Sequence, residues 1–225
     1  MSEISVVIPT LNEERRIGRL LDQLQSCPKV LEVIVSDGGS TDATRQISKS
    51  FPKVRWVNAR CGRASQMNTG AQLTRSNILL FLHADSYLNI EGMRQIKPTL
   101  SQHADAGSFY LMFDQNGFWL NLYSSMSKRD VSFFTYGDQG LFIKKEVFDE
   151  IGGFREIPIM EDLDIVRRIR RSGKFKKINA PITTSARRFK KNGVVQQQLT
   201  NTVLVILFYL GVSPNWLSKF YRNKS

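Results

Sequence analysis

The chain has 225 residues, 41% of them hydrophobic and 23% charged, with a formal net charge of +12. That length buries one good core, or two small ones at a stretch, and the composition is that of an ordinary globular protein. Two cysteines, Cys27 and Cys61, exclude a disulfide framework and a cysteine-built metal site. A reducing cytoplasm fits that count, and an opening that runs straight into a strand gives no sign of a signal peptide.

The first element is a β-branched run, Ser5-Val6-Val7-Ile8, which stops at Pro9-Thr10-Leu11-Asn12-Glu13-Glu14. Behind it Ile17, Leu20, Leu21 and Leu24 recur at helical spacing, with Asn12 as the expected N-cap. A second strand, over 31–36, ends at Asp37-Gly38-Gly39-Ser40-Thr41-Asp42, where Ser40 or Thr41 is expected to cap the next helix. In an open parallel sheet, ligands bind just beyond the C-terminal ends of the strands. Thr10, Asn12, Glu13 and Asp37 are therefore expected along one crevice. Asp37 can reach a base N–H while the glycines turn the backbone away, or it can close an Asx turn.

Residues 54–57 read as a strand and 63–73 as a helix. Gly62 followed by Arg63 at a helix start suits an anionic ligand. Ile78–Leu82 is a fully apolar run, the pattern of a buried central strand, and leads into His83-Ala84-Asp85. Residues 107–113 and 140–144 read as strands, and 118–126 and 161–172 as helices. The last of these turns Leu163, Ile165, Val166 and Ile169 inward and opens with Glu161-Asp162, where acids are favoured by the helix dipole alone. A βαβαβ half followed by a mixed half makes one α/β domain, its sheet mostly parallel with an antiparallel strand added late.

The charge is unevenly placed. Residues 1–166 hold 18 Lys/Arg and all 20 Asp/Glu, whereas the last 59 hold 14 Lys/Arg and no acid. Such a region suggests an anionic partner, or a solubilising basic face. It also carries the apolar run Val203–Val212, too short to span a bilayer. That run is either a core helix or an interfacial one, with Trp216, Lys219, Tyr221 and Arg222 as flanking anchors.

Taken in order, these segments resemble the family-2 glycosyltransferases, inverting enzymes with the A-type glycosyltransferase fold. The resemblance spans roughly residues 4–190 and rests on the two strand ends, on Gly62-Arg63 through Asn68-Thr69-Gly70, on His83-Ala84-Asp85, on Glu161-Asp162 and on Arg187-Arg188-Phe189. It implies a single α/β domain over 1–190 with a Rossmann-like, mostly parallel mixed sheet flanked by helices, followed by a basic, apolar helical segment over 191–225. It implies that Thr10, Glu13 and Asp37 hold the nucleoside of a nucleotide-diphosphate sugar, with Arg63 contacting the nucleotide. Asp85 matches the aspartate that holds a divalent metal, Mn2+ or Mg2+, while His83 replaces the family's first aspartate. Histidine suits manganese better than magnesium, or His83 contacts ribose or diphosphate instead.

Asp162 matches the base that takes the acceptor's proton, with Glu161 positioning it or touching the acceptor. Asp138 and Gln139 fall in an acceptor-side loop or a simple turn, and Arg187 or Arg188 would clamp the diphosphate. The family's glutamine before that arginine is missing, which argues against a processive synthase. The implied reaction moves one sugar to an acceptor hydroxyl with inversion, on a lipid-linked or amphiphilic acceptor at the inner membrane face. The rival within the same fold is an inactive nucleotide-sugar-binding module. No nucleic acid is expected, because the basic region lacks an aromatic-basic platform. The absence of G-x-G-x-x-G after the first strand argues against a dinucleotide-binding dehydrogenase.

Overall fold

The computed structural model describes residues 3–102, 104–115, 117–130, 137–184 and 194–222. The β-branched runs form β1 (Ile4–Thr10), β2 (Val30–Asp37), β3 (Val54–Asn58) and β4 (Ile78–Phe81). They alternate with helices α1 (Ile17–Ser26), α2 (Thr44–Lys49) and α3 (Arg63–Gln72). Then follow β5 (Tyr87–Leu88), α4 (Ile90–Gln102), β6 (Ala106–Phe113) and α5 (Phe118–Ser127). After a 3-10 turn over Gly137–Gln139 come β7 (Leu141–Lys144), α6 (Lys145–Glu150), α7 (Glu161–Ser172) and β8 (Phe175–Thr184). Two further helices, α8 (Val194–Tyr209) and α9 (Pro214–Arg222), complete the order.

Eight strands form one mixed sheet in the order β3-β2-β1-β4-β7-β6-β8-β5. The first four are parallel to their neighbours, as the expected βαβαβ half requires. The antiparallel strand expected late is β7, and it lies inside the sheet, antiparallel to both β4 and β6. β8 is parallel to β6, and the short β5 closes the edge antiparallel to β8.

Strand alternation sends side chains to two cores. On one face Val6 and Ile8 pack with Leu20, Leu21 and Leu24 of α1 and with Met93, Ile96 and Leu100 of α4. On the other, Val7 and Ile34 pack with Ala64, Met67 and Ala71 of α3 and with Ile165, Val166 and Ile169 of α7. α3 lies close to the sheet because Gly70 has no side chain: a Cβ there would stand 2.5 Å from Val7 Cγ1. A third cluster joins Leu163 of α7 to Leu204, Val205 and Phe208 of α8 and Leu217 of α9. The C-terminal apolar run is thus a packed helix along one side. No helix among the described residues is long and apolar enough to cross a membrane.

Two local expectations are corrected. Asn12 is not the N-cap of α1, which starts five residues later; it adopts a left-handed conformation (φ 55°) and accepts the Thr41 N–H at 2.9 Å. Nor do Ser40 and Thr41 cap α2, whose first N–H, from Thr44, goes to the Asp42 carboxylate at 3.0 Å. Both changes have one cause. The loops after β1 and β2 spend their polar side chains on each other, as the Asn12 N–H bond to Ser40 Oγ at 2.8 Å also shows.

Candidate active site

The parallel register sets Thr10 beside Asp37 and Asp37 beside Asn58, so the C-terminal ends of β1, β2 and β3 finish level. Asp37 is buried and makes an Asx-type turn: Oδ2 accepts the N–H groups of Gly39 (2.9 Å) and Ser40 (2.8 Å). Its Oδ1 accepts the hydroxyls of Ser40 (2.5 Å) and, at longer reach, Thr10 (3.3 Å). Glu13 sits at the same rim, its backbone N–H bound to Thr44 Oγ1 and its carboxylate paired with Arg16 at 2.9 Å. The expected crevice residues therefore do converge, and they arrive already hydrogen-bonded to their own loops.

Gln66 holds this end of the sheet in shape. Its buried amide nitrogen donates to Thr10 O at 2.7 Å and to Ser36 O at 2.9 Å, tying α3 to the ends of β1 and β2 together. Its side chain also stands 3.1 Å from where a Cβ on Gly38 would be. Sequence reasoning passed over Gln66, because a glutamine inside a helix carries no local signal of a partner 56 residues away. Asn68 of the same helix reaches forward to the loop before α7. It accepts the Phe154 N–H at 2.9 Å and donates to Phe154 O at 2.8 Å.

Leu82 extends the line of β4 by donating to Val7 O at 3.1 Å, and the chain then turns, with Ser86 N–H on His83 O at 3.0 Å. His83 and Asp85 both stay half-buried on this turn. His83 faces a cleft whose other polar lining groups are Ser108, Glu161 and Asp162, over an apolar wall that includes Met67, Phe81 and Phe154. Asp85 is not among the residues lining that cleft. Glu161 and Asp162 enter it because Met160, in a left-handed conformation (φ 68°), turns the chain into the first turn of α7. That conformation is strained for a bulky side chain and is the kind of feature found at functional sites.

Glu161 is the most unusual group in the cleft. Its side chain is 3% exposed, Oε1 pairs with Arg63 Nε at 2.8 Å, and Oε2 is buried without a hydrogen-bond partner. Burial pushes its carboxyl above the ordinary carboxylate range. Arg63 pulls it down and Asp162 adds to the rise. The protein packed around the Arg63 guanidinium works against its charge although 45% of the side chain still reaches solvent, and Glu161 and Asp162 outweigh that and hold it above its ordinary value. A residue expected at the nucleotide and one expected at the reacting end are thus joined in one ion pair. Asp164 is turned away, paired with Arg168 at 2.8 Å and Arg155 at 3.2 Å.

In the 3-10 turn over Gly137–Gln139, Gln139 is fully buried and its Oε1 accepts from Lys177 Nζ at 2.8 Å. The same ammonium donates to Ser127 O at 2.6 Å, and burial pushes its pKa down to about 8. Tyr136, Arg187 and Arg188 lie outside the described residues.

A divalent cation fits the donors on the His83–Asp85 turn, a carboxylate and an imidazole, only if further ligands come from the nucleotide. Among the described residues no three His, Cys, Asp or Glu side chains gather as a ready-made metal site. One carboxylate leaving most positions to phosphate oxygens and water is the usual pattern for a magnesium-type site.

The chain is similar to known glycosyltransferases in sequence and in fold. The 4,4'-diaponeurosporenoate glycosyltransferase of Staphylococcus haemolyticus is 39% identical over 95 residues, 39% of this chain and 25% of that protein. The crystal structure of S. aureus TarS 1–349 in complex with UDP-GlcNAc superposes with a TM-score of 0.67 at 19% identity, covering 81% of this chain and 58% of that one. The mannosyltransferase PcManGT from Pyrobaculum calidifontis, in complex with GDP-Man and Mn2+, gives 0.66 at 20% identity, covering 95% and 66%. The chain spans a quarter or less of the length of the first curated relatives it matches. The fold is that of the A-type glycosyltransferases, and residues 5–157 match the family described as Glycosyl transferase family 2. By that match over more than half its length, the chain belongs to glycosyl transferase family 2.

Proposed function

We propose that this protein transfers one sugar from a nucleotide-diphosphate sugar to an acceptor hydroxyl, with inversion at the anomeric carbon. The observation that carries the reading is the convergence of Glu161, Asp162 and His83 on one cleft beside the level strand ends that hold Thr10 and Asp37. Thr10, Glu13 and Asp37 bind the nucleoside at the rim. Arg63, its direction fixed by Glu161, contacts the diphosphate, as does His83 from the cleft wall. Arg187 and Arg188 add phosphate contacts from the segment after β8. Asp85 holds the divalent metal, which when bound offsets charge on the leaving diphosphate.

The chemistry left to the chain is one proton and one displacement. Asp162 takes the proton of the acceptor hydroxyl as that oxygen forms its bond to the anomeric carbon. The bond from that carbon to the diphosphate oxygen breaks on the opposite side, so a single in-line step inverts the configuration. Glu161 remains paired with Arg63 and positions the site rather than accepting the proton. The acceptor is lipid-linked or amphiphilic, and the acid-free basic C-terminal region supports a place at the inner face of a membrane.

The test is Asp162→Asn with a competent donor and acceptor. Nucleotide affinity should hold while transfer falls by about 10²–10⁴-fold, and the wild-type product should carry the inverted linkage by NMR. Unchanged transfer in Asp162→Asn, or a retained linkage, contradicts the assignment.

A further inference from the structure

Helix α8 is apolar on two opposite faces, and only one of them is covered. Leu204, Val205 and Phe208 point into the cluster formed with Leu163 and Leu217. Leu199, Val203, Ile206 and Leu210 recur at spacings that place them within about 60° of arc on the other side, at 100° per residue. Leu199 is 63% exposed and Leu210 76%. Leu210 keeps the stripe helical to its end by donating its N–H to Ile206 O at 3.0 Å. A helix apolar all round belongs in a core or against lipid, not half in water.

The neighbouring helices continue the pattern. α5 touches α8 and exposes Phe118, Trp119 and Leu122. α9 also packs on α8 and exposes Trp216, which stacks flat on Phe220 at 5.9 Å between ring centres. Of thirteen exposed large hydrophobic side chains among the described residues, seven fall on these three adjoining helices and an eighth, Leu210, directly follows α8. Scattered exposed apolar residues need no explanation, but a gathering of this kind marks an interaction surface.

Charge identifies the partner. From Arg167 onward the chain has 14 Lys/Arg and no acid. Lys219 on α9 and Lys128 and Arg129 after α5 are exposed at the ends of these helices. Pairing two copies through this side would bring Lys128, Arg129 and Lys219 of each copy towards those of the other, with Asp130, itself paired with Arg170, as the acid beside them. An anionic surface suits it, and tryptophan with leucine and flanking cations is the set that favours a membrane interface.

We infer that the outer face of α8, with Phe118, Trp119 and Leu122 of α5 and Trp216 of α9, docks this protein on a bilayer containing anionic lipid. The inference rests on the reading of the protein as one that works at a membrane, and its test does not depend on turnover.

The experiment is flotation of the full chain with phosphatidylcholine vesicles, with and without phosphatidylglycerol, at low and high salt. The wild type should float with the anionic vesicles and lose binding as salt screens the attraction. Val203→Glu/Leu210→Glu and Trp216→Ser change exposed positions, so the helical signal by circular dichroism should be kept. Taking one buried leucine back out of the membrane corresponds to about a ten- to hundredfold loss in partitioning, and each variant should lose at least the lower figure. Brominated lipid should quench tryptophan fluorescence in the wild type and less in Trp216→Ser, where Trp119 remains at the docking face. No wild-type flotation on anionic vesicles at low salt overturns both the docking face and the membrane reading. Equal flotation of wild type and variants overturns the face alone. A dimer in light scattering that the same variants dissolve assigns the face to self-association and overturns the inference. Nucleotide affinity unchanged in the variants separates any of these failures from failure of the glycosyl-transfer reading.

Discussion

Replacing Arg63 by methionine should destabilise the protein more than replacing Glu161 by glutamine, although the two residues form a single ion pair. The pair is lopsided: the Glu161 side chain is 3% exposed and that of Arg63 45%. Arg63→Met leaves a carboxylate in the cleft wall with no counter-ion and with Oε2 already unpartnered. A buried charge stripped of its partner costs about 3–5 kcal/mol, limited by the carboxylate's freedom to take up a proton. Glu161→Gln keeps the shape and leaves a guanidinium that water can reach, for which loss of a partner costs about 0–1 kcal/mol.

The two variants also differ in pH dependence. Burial, opposed by Arg63 and reinforced by Asp162, raises the Glu161 carboxyl above its ordinary 4.5. A carboxyl raised on folding binds its proton more readily in the native state. Its stabilising contribution is therefore complete below pH 4.5 and lost as pH rises through the folded pKa. Without Arg63 that loss should be larger and extend to higher pH; in Glu161→Gln it should vanish. Urea unfolding followed by circular dichroism between about pH 4 and pH 8 reads both effects. Equal destabilisation by the two substitutions at neutral pH, or an unchanged pH slope in Arg63→Met, would refute the picture of a desolvated carboxylate held by a half-solvated cation.

Gln66→Ala should cost about 2–4 kcal/mol in unfolding free energy, because it orphans two buried carbonyls at once, and should weaken nucleotide binding measured by calorimetry. The Lys177 ammonium, pushed from 10.5 to about 8 by burial, is charged at a cost in the folded state. Stability should therefore rise as pH climbs from about 8 to about 10.5, by at most about 3 kcal/mol, and thermal melts of Lys177→Met should lack that rise. Gly70→Ala forces a Cβ to within 2.5 Å of Val7 Cγ1 and should cost about 1–3 kcal/mol by overpacking, partly recovered in Gly70→Ala/Val7→Ala.

What could be read from the sequence was whatever has a local period or a local punctuation mark. The β-branched runs gave the strands, and their polar stops placed Thr10 and Asp37 side by side, as the register shows. Leu163, Ile165, Val166 and Ile169 were legible as the inward stripe of α7 and are all buried. Features set by long-range contact were not legible. The pairing of Arg63 with Glu161 spans 98 positions, and the insertion of β7 between β4 and β6 has no counterpart in the composition of β7. α4 went unread because Pro98 sits inside it, where a proline ordinarily argues against a helix. The C-terminal apolar run left both core and interface open because α8 has both kinds of position: Leu204, Val205 and Phe208 are packed, whereas Leu199, Val203 and Ile206, with Leu210 just beyond, are exposed.

The central claim is that the level strand ends and the His83–Asp85 turn form a nucleotide-diphosphate site. Calorimetric titration with uridine, guanosine and thymidine diphosphates, each with and without Mn2+, tests it most directly on the wild type and Asp85→Ala. The account predicts that one of the three binds, that Mn2+ tightens it, and that Asp85→Ala abolishes the Mn2+ effect. Binding of none of them under either condition would contradict it.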